Sequence, residues 1–354
     1  MPKILFLVEL PTPQRTPVFN ALANHGLDFA VLYLRRDSRG QGWGEQIVEH
    51  RHAYVHETRF GAVRLLLRLV VSPRIRIVAV FGYRGRVRMG ALLAARVRNL
   101  EIVTRSDSNV AALLTEPPAK RLLRKFAMRA AFPRDTRIWT VGEANRIFWE
   151  DYVGRSNTRL IPYSTPRLPD SLGLTPRPRV SDPTRLRFLF VGRLVPVKAV
   201  DLLIRSFTAL RGDAFANWEL AIVGDGPLRS SLERLASEDP RIKFHGSMAY
   251  PELDRFYHAS DVLVLPSVRE PWGLVVNEAL GFGLWVVASD AVGASELLTS
   301  PEVGIPFSSG DERDLTEALK RAAVHSDRRP IPPTNPTSEM AADLRVLLGD
   351  ESNA

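Results

Sequence analysis

Two short apolar runs, Asp261-Val-Leu-Val-Leu-Pro266 and Leu284-Trp-Val-Val-Ala-Ser289, flank a helix-like segment that runs from Gly273 to Gly283. A buried strand, a helix and a second buried strand in that order form a parallel crossover unit. The loop between the first strand and the helix then lies at the carboxyl ends of the strands, where open parallel sheets bind ligands. Two carboxylates eight residues apart fall there, in Ser267-Val-Arg-Glu270-Pro-Trp-Gly-Leu-Val-Val-Asn-Glu278-Ala-Leu-Gly-Phe-Gly283.

A helix starting near Gly273 leaves the N–H groups around Leu274 and Val275 without intrahelical partners, and its dipole favours an anion such as a diphosphate. Glu278 lies about four residues further in, roughly 6 Å along the axis. That offset suits a carboxylate accepting both hydroxyls of a ribose. Glu270 precedes the helix and is placed to reach the far side of the diphosphate, where a transferred group would sit. The alternative is that both are solvated surface carboxylates, the commonest fate of a Glu.

The stretch Phe190-Val-Gly192-Arg193-Leu-Val-Pro-Val-Lys198 ends an apolar strand with a glycine and then supplies two cations five residues apart. Such a pair can neutralise charge on a leaving diphosphate. Ile222-Val-Gly224-Asp-Gly226-Pro227 ends another strand in a tight turn, and Phe244-His-Gly246-Ser247 ends a third.

The order of these motifs over residues 186 to 325, closed by Gly293-Ala-Ser-Glu-Leu297, resembles the nucleotide-sugar domain of family 4 glycosyltransferases, the retaining group 1 enzymes with the GT-B fold. The resemblance implies two doubly wound Rossmann-like α/β domains facing each other across a cleft. It implies that Arg193 and Lys198 hold the donor diphosphate, that Glu278 binds the ribose and Glu270 the donor sugar, and that backbone at Gly273, Leu274 and Val275 touches phosphate or sugar. Gly192 and Gly224 complete the donor-binding set. Asp261 reads as a structural cap, and His245 as a strand-end hydrogen-bonding group.

At 354 residues the chain suits two domains. Strand signals at residues 4–8, 29–34, 77–80, 102–104, 137–140 and 159–161 alternate with helical runs at 17–24, 85–98 and 143–152, which implies a parallel sheet. The expected plan is an acceptor-binding domain over 1–165, a proline-rich linker over 166–184, a nucleotide-sugar domain over 185–325, and a proline-rich link and terminal helix over 326–354 that returns to the first domain. There is no cysteine, so disulfides and thiolate metal sites are excluded. The opening residues read as a first strand rather than a signal peptide. The apolar run around Leu65–Val71 falls well below the ~20 residues of a membrane span. These features lead to the expectation of a cytoplasmic protein.

Charge is uneven. Residues 1 to 170 hold 28 Lys and Arg against 14 Asp and Glu, while the remainder holds 20 against 25, and the overall formal charge is +9. An acidic or phosphorylated acceptor, an anionic membrane touched peripherally, or plain arginine usage would each account for this. The segment from Ala119 to Phe132 reads as a basic amphipathic helix. The expectation adopted is that it packs Leu122, Phe126 and Ala130 inward. No nucleic-acid recognition motif accompanies the charge.

The N-terminal half departs from the family pattern. Where many members carry a Gly-Gly loop after the first strand, this chain has Glu9-Leu-Pro-Thr-Pro-Gln-Arg15-Thr-Pro. Where many have a histidine near the donor sugar, it has Thr104-Arg105-Ser106-Asp107-Ser108-Asn109. Arg15, Arg105 and Asp107 are therefore candidates for contact with acceptor or sugar, with an Arg105–Asp107 ion pair as the structural alternative.

The expected reaction is metal-independent, retaining transfer of a sugar from a nucleoside diphosphate, a UDP-sugar being favoured, to a hydroxyl on a glycan, a lipid-linked sugar or a small natural product. The nucleotide sugar is a co-substrate and no cofactor is expected. A GT-B sugar-nucleotide 2-epimerase and a non-catalytic nucleotide-sugar-binding protein are the alternatives. A Rossmann dehydrogenase is disfavoured, because neither half shows Gly-x-Gly-x-x-Gly after its first strand.

Overall fold

The computed structural model describes residues 2–36, 46–55, 61, 67–69, 71–82, 85–108, 117–163, 185–322 and 336–349. The expected linker over 166–184 and most of the expected proline-rich link lie outside those residues. The chain forms two compact units, Met1–Pro166 with Thr334–Ala354, and Arg167–Pro333.

In the first unit the described strands are β1 (Ile4–Val8), β2 (Phe29–Tyr33), β3 (His52–Tyr54), β4 (Ile77–Phe81), β5 (Glu101–Arg105), β6 (Arg137–Thr140) and β7 (Thr158–Leu160). They pair in parallel in the order β3-β2-β1-β4-β5-β6-β7. The central β1 and β4, ILFLV and IVAVF, are buried at every position. Continuous apolar runs of that kind suit strands covered on both faces. On one face lie α2 (Arg86–Val97), α3 (Pro118–Ala131) and α4 (Glu143–Val153), which share a core with Val78, Val80 and Ile138. On the other lie α1 (Thr16–Ala23) and a helix from the end of the chain, Thr337–Leu348.

That terminal helix buries Met340, Ala341, Leu344 and Leu348 among Phe6, Phe19 and Phe81. Its Asp343 accepts a 2.8 Å hydrogen bond from the buried Trp139 indole and lies 3.6 Å from both Arg137 and Arg159.

Two features of this unit differ from the sequence reading. β3 was not expected, because His-Ala-Tyr is a short, half-exposed edge strand with no alternating apolar signal. In α3 the expected inward residues Leu122, Phe126 and Ala130 are exposed, and Met128 is the buried residue, with Arg124 and Ala131 half-buried beside it. Periodicity shows that the faces of a helix differ but does not say which one meets the sheet.

The second unit repeats the plan with β8 (Arg187–Val191), β9 (Glu219–Val223), β10 (Ile242–Gly246), β11 (Val262–Leu265), β12 (Trp285–Ser289) and β13 (Gly304–Phe307), parallel and ordered β10-β9-β8-β11-β12-β13. Its helices are α5 (Val200–Thr208), α6 (Arg229–Leu235), α7 (Leu253–Ala259), α8 (Leu274–Gly281) and α9 (Glu312–Arg321), and the terminal helix of the first unit is α10. Asp261 is nearly fully buried and accepts the Arg187 N–H at 2.8 Å, while its backbone bonds Arg187 and Trp285. It ties together the starts of β8, β11 and β12, a structural role.

Candidate active site

In the second unit β8 and β11 are neighbours in the sheet although β9 and β10 intervene in the chain, so the strand order reverses between them. A crevice opens at such a reversal because the connections leave in opposite directions. The loop after β8 carries Gly192, Arg193 and Lys198, and the loop after β11 carries Glu270 and Gly273. Main-chain hydrogen bonds fix the loops to one another: Val268 N–H donates to Val197 C=O at 2.9 Å, Glu270 N–H to Ala291 C=O at 3.1 Å, and Gly293 N–H to Glu270 C=O at 3.0 Å.

This framework brings Lys198 and Glu270 together. The ammonium is hydrogen-bonded to the carboxylate, and the two side chains are 16% and 18% exposed. Lys198 ends a single 3-10 turn, Pro196–Lys198, and the next residue, Ala199, sits at φ 46°, a left-handed conformation that is costly for a residue with a Cβ. Arg193 is exposed, and among the described residues its side chain makes no hydrogen bond or ion pair. It leaves one cation open to a ligand while the other is already paired.

Gly273 caps α8 at φ 97°, and its Cβ position is hemmed in by Leu265, Val292 and Glu270 at 3.0 to 3.3 Å. Leu274 and Val275 form the first turn, whose N–H groups lie outside the helical ladder. Gly224 has a packing reason for being glycine: at φ 140°, an added Cβ would lie 1.8 Å from the Gly192 carbonyl oxygen. Gly226 is held in the same way, 2.5 Å from the Leu194 oxygen. The two glycines let the β9 turn press against the loop that carries the cations.

Glu278 is buried on α8, and each carboxylate oxygen accepts a tyrosine hydroxyl, from Tyr250 at 2.8 Å and from Tyr257 at 2.6 Å. Burial first, and then the Glu278 charge, push the Tyr257 phenol well above its ordinary value, so it stays protonated and donates. An ionised carboxylate has about four acceptor positions, and these two hydroxyls fix its orientation. The sequence reading missed both tyrosines. Their spacing of seven residues, one apolar face of the segment that leads into and forms α7, was the available signal. His245 is half-buried at the end of β10 with its ring 4.9 Å from that of Phe256, and burial followed by the Arg255 and Lys243 charges lowers its proton affinity.

The first unit gathers two of its three candidates. Arg15, at the start of α1, and Arg105, at the end of β5, border a partly open cavity with Phe19, Phe81, Tyr163 and Met340. Arg105 is 7% exposed, its guanidinium lies 4.8 Å over the Tyr163 ring, and it donates to Pro162 C=O at 3.1 Å. Burial is the main cause that brings its pKa down to about 10, partly offset by Tyr163. Asp107 is exposed and borders no part of this cavity. Among the described residues it forms no ion pair with Arg105 within 4 Å, although its charge still favours the protonated guanidinium. The loop after β1 is tied down instead by Glu9, which pairs with Arg88 at 2.5 Å and Arg35 at 3.0 Å.

Residues 185–324 match the family described as glycosyl transferases, group 1. Over that segment, 140 of the 354 residues, the chain is similar to group 1 glycosyltransferases. Sulfoquinovosyl transferase SQD2 of Arabidopsis thaliana is 32% identical over 153 residues, which is 42% of this chain and 29% of that protein, so the match spans less than a third of the relative's length. Among solved structures, sucrose-phosphate synthase from Thermosynechococcus elongatus superposes with a TM-score of 0.67 at 17% identity over 98% of both chains. Anabaena HepE in complex with UDP-glucose does so with 0.65 at 15% identity, over 99% of this chain and 98% of that one. The chain has the GT-B fold, and the segment that matches the family is built on β8 to β13. Among the described residues no helix is long and apolar enough to cross a membrane.

Proposed function

We propose that this protein is a retaining glycosyltransferase of the family 4 type, moving a sugar from a nucleoside diphosphate, preferably UDP, to an acceptor hydroxyl on a glycan, lipid-linked sugar or small natural product. The observation that carries the reading is the meeting of Lys198 and Glu270, 72 residues apart in sequence, at the point where the strand order reverses and beside the N-terminus of α8. A diphosphate at that N-terminus is met by Arg193 and Lys198, and Glu278, held by its two tyrosines, accepts the ribose hydroxyls. The UDP-glucose complex of HepE, which shares the fold, supports the choice of donor class.

In the proposed step the bond from the anomeric carbon to the diphosphate oxygen breaks, and the electron pair leaves with the nucleoside diphosphate. The acceptor oxygen bonds the same face of the carbon, and its proton passes to a phosphate oxygen. Arg193, Lys198 and the α8 amides stabilise the charge that develops on the leaving group, a preorganised electrostatic contribution needing no metal. Glu270 holds Lys198 in place before the donor arrives and contacts the sugar afterwards. The acceptor is assigned to the N-terminal unit, with Arg15, Arg105 and Asp107 as its candidate contacts.

The test is release of nucleoside diphosphate from a panel of UDP-, GDP- and ADP-sugars, with and without acceptors, combined with product stereochemistry. Acceptor-dependent release with the anomeric configuration retained is expected. Inversion, or donor binding without release across the panel of acceptors, would overturn the reading.

A further inference from the structure

The face of the first unit that carries α2 and α3 is inside out relative to an ordinary surface helix pair. On α3, Leu122, Leu123 and Phe126 are 58%, 72% and 66% exposed, and on α2, Met89, Leu93 and Val97 are 43%, 64% and 75% exposed. The α2 residues recur every fourth position and so form a stripe on one side of the helix. The two helices pack side by side on the same face of the sheet, since Ala91, Leu92 and Ala95 share a core cluster with Met128 and Phe132, and Arg96 donates to the Ala130 carbonyl. Their outward surfaces therefore point the same way, and both are apolar.

The charged residues of these two helices have one sign. Segment 85–98 holds three arginines besides Arg88, which is buried and paired with Glu9, and segment 117–131 holds three arginines and two lysines; neither contains an Asp or Glu. Among the described residues Arg86, Arg121 and Lys125 make no ion pair. Large apolar side chains clustered in water are unfavourable unless something covers them. A second copy of this chain, docked face to face about a twofold axis, would set the same cations against each other. A bilayer with anionic headgroups satisfies both properties at once: leucine and phenylalanine side chains enter the boundary of the acyl chains while arginine and lysine bind phosphates.

We propose that the outer face of α2 and α3 is a docking surface for an anionic lipid bilayer. The protein lies on the membrane rather than in it, with Leu122, Leu123 and Phe126 as the inserted wedge and the flanking cations as the electrostatic hold. This surface involves no residue assigned to sugar transfer, so it stands or falls separately from the proposed activity.

Vesicle co-sedimentation of the full chain tests it. Binding to vesicles of phosphatidylcholine with added phosphatidylglycerol is expected to exceed binding to phosphatidylcholine alone by about tenfold or more, and to weaken as salt rises. Leu122→Ser with Phe126→Ser should remove most of it, and Leu93→Ser with Val97→Ser should weaken it independently. Because these side chains are exposed, circular dichroism should be unchanged. Arg121→Glu with Lys125→Glu should abolish the preference for anionic lipid. Absence of binding to anionic vesicles by the folded protein would overturn the proposal, as would binding indifferent to all three double variants. A concentration-dependent dimer without vesicle binding, lost in Leu122→Ser with Phe126→Ser, would overturn it in favour of self-association.

Discussion

The two units share the order of their first six strands, the first unit adding a seventh, and use its reversal point differently. In the second unit the loops after β8, β9 and β11 are laced to one another by backbone hydrogen bonds, and glycines at 224 and 226 admit carbonyl oxygens where a Cβ would stand. In the first unit the corresponding region has fewer such bonds, Arg35 N–H to Glu9 C=O and Gly82 N–H to Arg105 C=O, both at 2.7 Å, and relies more on side chains: Glu9 pairs with Arg88 and Arg35, and Arg105 stacks on Tyr163 beside Arg15. A site laced by backbone is unforgiving of sequence change and leaves short motifs in the chain. A site held by side chains can be rebuilt with other residues and leaves none.

The sharpest way to break this contrast is to add one methyl group to each unit. Gly224→Ala must move the Gly192 carbonyl and also adopt an unfavourable φ, which together should cost about 4 kcal/mol or more. Gly154→Ala in the first unit, at φ 81° and ψ 159° with no atom within 4 Å of the new Cβ, should cost only the backbone strain of that region, about 1 to 3 kcal/mol. Urea unfolding followed by circular dichroism measures both. Equal costs would mean that close approach of the loops is not what requires glycine at 224.

A second difference concerns acid. His50, in the first unit, is 3% exposed, and its Nδ1 lies 2.6 Å from Asn20 Oδ1 while Nε2 lies 3.0 Å from the Tyr33 hydroxyl. An amide oxygen can only accept, so Nδ1 carries the proton and Nε2 accepts from Tyr33. Burial, reinforced by His52, brings the His50 pKa down to about 4. The folded form therefore binds its proton less readily than the unfolded one, and stability is retained above about pH 6.5 and lost as pH falls toward 4. The loss should reach about 3 kcal/mol. Urea midpoints at pH 7 and pH 4.5 should differ clearly in the native chain and much less in His50→Gln, and an equal pH response in the two would remove His50 from the account.

How much could be read in the chain follows the same division. The alternation of apolar runs and helical runs gave both parallel sheets, because strands buried on both faces, such as β1 and β4, are written as unbroken apolar stretches. The motifs around Gly192, Gly224, Glu270 and Gly273 were readable because backbone contact restricts what can stand there. Tyr250 and Tyr257 were passed over, since their partner Glu278 lies 28 and 21 residues away and nothing local marks the hydrogen bonds. The direction of α3 was misread, as its amphipathic pattern is compatible with either face toward the sheet. The cavity edged by Arg15 and Arg105 depends on Met340, which reaches it from the far end of the sequence.

Catalytic variants sharpen the comparison further. Arg193→Ala or Lys198→Ala should lower turnover by roughly 10²-fold or more, the effect of removing one preorganised electrostatic donor. Arg15→Ala should act on the acceptor KM with little effect on donor affinity, and chelation of divalent metal should change nothing. Strict dependence on added metal would contradict the scheme. Somewhat smaller is Glu278→Gln, where losing charge-assisted hydrogen bonds should weaken donor binding by about 1.5 to 3 kcal/mol. Calorimetric affinity unchanged in a folded Glu278→Gln protein would remove the ribose assignment.

The smallest effect expected separates strain used for positioning from strain that is incidental. Each unit has one described non-glycine residue at positive φ, Asn99 at 53° in the first and Ala199 at 46° in the second. Asparagine visits the left-handed region readily, whereas alanine pays about 1 to 2 kcal/mol there. Glycine relieves that cost but adds unfolded-state freedom, so Ala199→Gly should stabilise by no more than about 1 kcal/mol, and Asn99→Gly should be neutral or slightly destabilising. Ala199 directly follows Lys198, and the fixed turn aims that lysine at Glu270. Loosening it should lower turnover severalfold even as the chain becomes more stable, a change measurable by steady-state kinetics alongside thermal unfolding. Turnover unchanged by Ala199→Gly would show that the strained turn does not position Lys198, and the difference between the two left-handed residues would then be one of stability alone.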